Sequence, residues 1–109
     1  MDTSHNPAIK SLLDDLLLGI PGVTVGKAFG FPAYKVSGKV FAFVGGEGMG
    51  LKLPVERVGE LVARGALYSP FEPVAGTVWK AWVSIDHPDA NAYRDHLTLF
   101  EESVAFVAE

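Results

Sequence analysis

Apolar residues recur at three- and four-residue steps near the start of the chain. Ile9, Leu12, Leu13, Leu16 and Ile20 form one stripe, which predicts a helix from Pro7 to about Leu18. Asn6 is a good N-cap, Pro7 suits the first helical position, and Gly19 with Pro21-Gly22 stops the helix. The period then changes from helical to alternating. Strands are expected over Val23–Ala28, Ala33–Val36 and Lys39–Val44, with Ser37-Gly38 as a two-residue hairpin turn. Gly45-Gly46-Glu47-Gly48 turns the chain again into Met49–Leu53, where Met49, Leu51 and Leu53 make one face apolar.

Pro54 opens a second helix, to about Arg64, with Val55, Val58, Leu61 and Val62 as its buried face and Gly65 as its stop. Glu60 and Arg64 stand four apart with the acid first, a favourable surface order. Ser69–Pro73 reads as extended or loop. Val78–Ile85 reads as the longest strand, with Trp79, Ala81, Val83 and Ile85 on one face and Val78, Lys80, Trp82 and Ser84 on the other. Trp82, mid-strand, is expected to pack under a helix. Asp86-His87-Pro88-Asp89 breaks that strand, and Asp89 caps a last helix running through Val107 on a Tyr93–Leu97–Phe100–Val104–Val107 seam. The element order is α-β-β-β-β-α-β-α. Consecutive hairpins make the fold class α+β, with a mainly antiparallel, curved sheet of about five strands and helices packed against it.

At 109 residues the chain is expected to be a single domain, residues 1–109. Its composition, 49% apolar and 20% charged, is that of a globular protein. No window holds a membrane-spanning apolar run. The absence of cysteine removes disulfides, thiol nucleophiles and cysteine-based metal sites, and the N-terminus has no secretory pattern, so a cytoplasmic location is expected. The net charge of −4 is opposite in sign to that of most non-specific nucleic-acid binders. Its distribution is uneven. Residues 26–54 hold Lys27, Lys35, Lys39 and Lys52 against Glu47, whereas residues 86–109 hold six acids against Arg94.

No catalytic or metal motif is present, and neither a cofactor nor a metal site is expected. His87, between Asp86 and Asp89, reads as part of a helix-capping turn, and ligands that close in sequence rarely converge without a distant partner. The run Gly45–Gly50 is followed by a strand rather than a helix, so it lacks the helix N-terminus of a phosphate loop. Asp14 and Asp15 point about 100° apart on their helix and read as solvated. The candidate site is a lysine–aromatic combination. Lys35, Lys52 and Lys80 alternate with apolar residues on strands, Trp82 shares a face with Lys80, and Phe41 and Phe43 share a face with Lys39. An open sheet carrying such residues can stack bases and neutralise phosphates.

The run Phe29-Gly30-Phe31-Pro32-Ala33-Tyr34-Lys35-Val36-Ser37-Gly38-Lys39-Val40-Phe41-Ala42 resembles the opening of the MmcQ/YjbR-like and TfoX N-terminal-domain-like proteins. Leu51-Lys52-Leu53-Pro54, Phe71-Glu72-Pro73 and Lys80-Ala81-Trp82-Val83 look TfoX-like, so that the likeness spans residues 22–85. The resemblance implies a small α+β domain with a curved antiparallel sheet. It also implies a non-enzymatic, macromolecule-binding role linked to transcription or competence regulation, with a protein or nucleic-acid partner. Lys35, Lys39, Lys52 and Lys80 are the residues that would meet that partner. The alternative is a small-molecule-binding or enzymatic domain using a pocket between the sheet and the final helix. The apolar seam of that helix, flanked by Leu99 and Phe106, adds the expectation of a homodimer.

Overall fold

Among the described residues, six strands pair into one open sheet in the order β1 (Val23–Ala28), β2 (Phe31–Val36), β3 (Lys39–Gly45), β4 (Gly48–Lys52), β6 (Trp82–Ile85), β5 (Tyr68–Pro70), and every neighbouring pair is antiparallel. The structure is a computed structural model that describes residues 5–28, 30–46 and 48–109. The helices are α1 (Pro7–Leu17), α2 (Val55–Arg64) and α3 (Leu97–Ala108), with a 3-10 helix over Ala90–His96 leading into α3. The α+β class and the antiparallel sheet stand as expected, and the sixth strand, β5, comes from the stretch read as extended or loop.

The local signals act as their chemistry requires. The Asn6 side chain accepts from the Ala8 and Ile9 amides at 2.9 and 3.4 Å, which fixes the start of α1. Ser37 and Gly38 have φ of 54° and 76°, the two positive values of a type I′ turn, so the β2–β3 hairpin follows the right-handed strand twist. All three helices lie on one face of the sheet. Ile9, Leu13, Leu17, Leu61 and Phe100 close there over Tyr34, Val44, Leu51, Val83 and Ile85. Leu17, outside the stripe read from the sequence, is fully buried, whereas Leu16 and Ile20 pack at the border of the core.

Three departures from the sequence reading have physical causes. The first is a β-bulge. Tyr34 pairs with Ala42 and Lys35 with Val40, so Phe41 is an extra residue in β3. Period-two alternation fails there, and Phe41 joins the helix-side core while Phe43 faces the other way. The two rings therefore do not share a face.

The second concerns the expected strand from Val78. Only Trp82–Ile85 is strand. The Trp82 amide bonds the Trp79 carbonyl and the Trp79 amide bonds the Phe71 carbonyl, both at 3.0 Å, so the chain turns back over the sheet before β6 begins. Lys80 lies in that turn rather than on a strand.

The third concerns the last helix. Asp89 does cap it, accepting from the Asn91 amide at 3.0 Å, but the first seven residues wind as a 3-10 helix. That tighter winding shifts the helical phase, so Leu97 is 38% exposed and the stripe on the sheet is Phe100, Ser103 and Val107. Ser103 is fully buried. Its hydroxyl lies against the carbonyls of Phe41 and Lys52, seating α3 on β3 and β4.

Candidate nucleic-acid interface on the helix-free sheet face

The face of the sheet away from the helices carries its own aromatic layer. Phe43 sits at its centre, with ring centroids 5.8 Å from Phe31, 5.2 Å from Phe71 and 5.5 Å from Trp82. Trp79 meets Phe71 edge-on at 5.7 Å. Ala33, Phe43 and Trp82 are buried, while Phe31, Phe71 and Trp79 are half-buried and form the outer layer. Trp82 is thus buried as expected, but against Phe43 and Phe71 rather than under a helix. The Phe43 ring lies close over the sheet because Gly50 stands opposite it. A Cβ at residue 50 would run into the Phe43 ring, so glycine is required for this close approach.

The strand register places the four candidate lysines. Directly opposed residues share a face. Lys52 is opposite Trp82 and therefore lies on the aromatic face. Lys35 lies on it too, its stem covering Gly26, the partner of Ala33. Lys39 opposes the core residue Val36, so it belongs to the helix side, where its Nζ donates to the Glu109 carbonyl at 3.3 Å. Lys80 is exposed in the turn before β6. β2 and β4 end, and β3 and β6 begin, at one end of the sheet, so all four lysines gather at that end. Asp86 lies over Gly48 at the opposite end. Many of the acids sit on the helices: Asp14 and Asp15 on α1, Glu56 and Glu60 on α2, Glu101 and Glu102 on α3. The uneven charge of the sequence becomes a sheet with one basic end beneath an acidic helical layer.

Arg57 of α2 ties that layer together. Its guanidinium reaches Glu60 at 3.2 Å and Glu102 of α3 at 3.3 Å. Glu60 therefore pairs with Arg57, not with Arg64 as its spacing suggests.

A second cluster escaped the sequence reading. The His87 and His96 rings face each other, Nε2 to Nε2, at 2.6 Å. Tyr93 packs edge-on against His87 at 4.6 Å, and its hydroxyl donates to the Ile85 carbonyl at 2.8 Å and accepts from the His87 amide at 3.1 Å. Burial lowers the pKa of both histidines, against the attraction of Asp95 and, for His87, Asp89; the neighbouring ring lowers His96 further. The only trace in the sequence is a pair of histidines nine apart, and nothing in that spacing says that the intervening residues fold back. Among the described residues, no group of three or more His, Cys, Asp or Glu side chains could hold a metal ion. No helix among them is long and apolar enough to cross a membrane.

Several hollows border these features. A groove of about 200 Å³ runs between Val55, Val58 and Val62 of α2 and Pro70, Val78 and Trp82. A polar hollow of about 170 Å³ lies between α2 and the start of α3, beside Arg64, Tyr68, Asp95 and His96. Another, of about 440 Å³, flanks the edge strand β1 beside His5, Lys10 and Lys27.

The sequence model of the YjbR family matches residues 18–103, which covers the whole sheet, α2 and most of the last helical segment. The chain belongs to the YjbR family. No curated protein and no solved structure matches it. The family match falls on the motifs that carry the resemblance, from the Phe31–Val36 strand to Trp82–Val83.

Proposed function

We propose that this YjbR-family chain is a non-enzymatic module that binds a single nucleic-acid strand on the helix-free face of its sheet. The observation that carries the reading is the Phe31–Phe43–Phe71–Trp79–Trp82 layer with Lys35 and Lys52 on the same face. Half-buried rings offer stacking surfaces to unpaired bases, and lysines at one end of the strands offer charge to the phosphates between them. The overall charge of −4 does not oppose this, because the acids on the helices lie on the other side of the sheet. The role is cytoplasmic and linked to transcription or competence regulation, as the family resemblance suggests.

A pocket reading has less support. Ser103 and Phe100 fill the contact between α3 and the sheet, and the hollow beside that helix is small and polar. In the proposed reading the working unit is a homodimer. Val55 and Val78 are exposed at 51% and 45% beside the groove along α2, apolar surface that a second copy would cover.

The test is fluorescence anisotropy of a labelled single-stranded oligonucleotide. Three phosphate contacts predict that affinity falls about twentyfold between roughly 50 and 200 mM salt. Replacing Lys35, Lys52 and Lys80 together by Gln should abolish most binding at the lower salt. Absence of binding at low salt, or binding unchanged in the triple variant, overturns the reading.

A further inference from the structure

The His87–His96 contact joins two parts of the chain that have no backbone reason to stay together. His87 follows β6, and His96 is the last residue of the 3-10 helix. Between them the chain makes a closed excursion, packed on α1 and pinned by Tyr93. At 2.6 Å, one Nε2 must donate to the other. A neutral pair can do this, and so can a pair holding one extra proton. A pair in which both rings are imidazolium cannot, because each Nε2 then carries a hydrogen and the two cations repel.

We propose that the His87–His96 pair is a pH-sensitive latch. It holds the Ala90–His96 segment against α1 and the sheet while at most one ring is charged, and releases the segment when both are.

The surrounding groups act in both directions. Asp86 and Asp89 flank His87 in its loop, Asp95 neighbours both rings, and the Tyr93 hydroxyl is occupied with the Ile85 carbonyl and the His87 amide. Asp89 and Asp95 favour charging of His87, and Asp95 that of His96. From β5, Tyr68 meets His96 edge-on at 5.9 Å, and Phe100 of α3 lies 6.2 Å away, both of which keep water from that ring. Arg57 and Arg64 of α2 and Glu102 of α3 line the hollow that His96 borders. Arg57 is already matched by Glu102 and Glu60, and burial and the His87 ring are what oppose charging of His96.

The sign follows from linkage. Both histidines are held below their ordinary value, so the unfolded or released segment binds more protons than the latched one. The stabilisation is complete above about pH 6.5 and is lost as pH falls through the latched values. Release is a local opening that frees Tyr93 from the core, while the pairing of the central strands is retained.

Hydrogen exchange on the full chain tests this, with rates corrected for the intrinsic pH dependence of exchange. Between about pH 7.5 and about pH 5.5, amides 87–97 should exchange at least about tenfold faster in the wild type, with the central strands unchanged. His96→Gln and His87→Gln each leave a single ionisable ring, whose burial still couples opening to protonation but without the repulsion between two cations, so the acceleration should be several-fold smaller in either one, and one folded variant suffices. No acceleration in the wild type, the same acceleration in the variants, or an acceleration spread evenly over the strands overturns the latch.

Discussion

The Tyr34 hydroxyl donates to Asp14 Oδ1 at 2.7 Å across the interface between β2 and α1. Lys10, one turn earlier on the helix, donates to both carboxylate oxygens of Asp14 at 2.7 Å. Asp14 is therefore not a merely solvated acid. Burial pushes its pKa up, but the bonds from Lys10 and Tyr34 outweigh this and hold it below the ordinary carboxylate value. Burial and the adjacent carboxylate push the Tyr34 hydroxyl far above its usual range, so it remains a donor throughout the working pH range.

Tyr34→Phe removes the donor and leaves the ring in place. It should lower stability in urea by about 1–2 kcal/mol near neutral pH, as expected for a bond to a charged acceptor. The depressed Asp14 pKa sets the pH window. The contribution is full above the unfolded carboxylate value of about 4 and is lost as pH falls through the lower folded value, so the difference between wild type and variant should shrink on acidification below about pH 4. A stability difference that stays constant throughout acidification contradicts the assignment.

Gly50→Ala places a methyl group where the Phe43 ring lies. The ring must tilt away, and with it the stacking against Phe31, Phe71 and Trp82. Overpacking of this kind should destabilise by about 1–3 kcal/mol and change the near-ultraviolet circular dichroism of the tryptophans. An unchanged spectrum and midpoint would mean that Phe43 does not rest on residue 50.

Trp82→Ala empties the buried layer beneath Phe71 and should cost about 3–5 kcal/mol, close to the whole stability of a domain of this size. Trp79→Ala, at the half-buried rim of the same layer, should cost less. Thermal unfolding of the two variants decides it, and a Trp79 variant that melts below the Trp82 variant reverses the picture of which ring lies inside.

Sedimentation at micromolar concentration tests the homodimer. The expected result is a species of twice 11.7 kDa that shifts to monomer on dilution. Val55→Glu, at the exposed start of α2, should weaken association without disturbing the core. A single species near 11.7 kDa at all loadings excludes the dimer.

Much of the architecture was legible from residue types acting on their nearest neighbours. Asn6-Pro7 starts α1, Ser37-Gly38 turns the β2–β3 hairpin, Gly65 ends α2 and Asp89 caps the last helical segment. Each is a local backbone requirement that a few residues meet regardless of what packs over them, so the order of elements and the antiparallel sheet followed from the sequence alone. That Lys35 and Lys52 share a face was decided by the strand register, not by the alternation within each strand.

What the tertiary structure decided depends on groups far apart in the chain. The bulge at Phe41 arises from pairing with β2, and alternation cannot announce it, yet it sends Phe41 and Phe43 to opposite faces. Ser103 reads as polar on an apolar helix and becomes buried because two strand carbonyls need a partner under α3. Asp14 acquires its partner from a strand 20 residues away, and His87 meets His96 only because a 3-10 helix carries the chain back through the intervening residues. Periodicity reports which side of an element faces inward. It carries no information about which inward-facing groups meet, because that is set by the pairing of strands and the seating of helices over the whole chain.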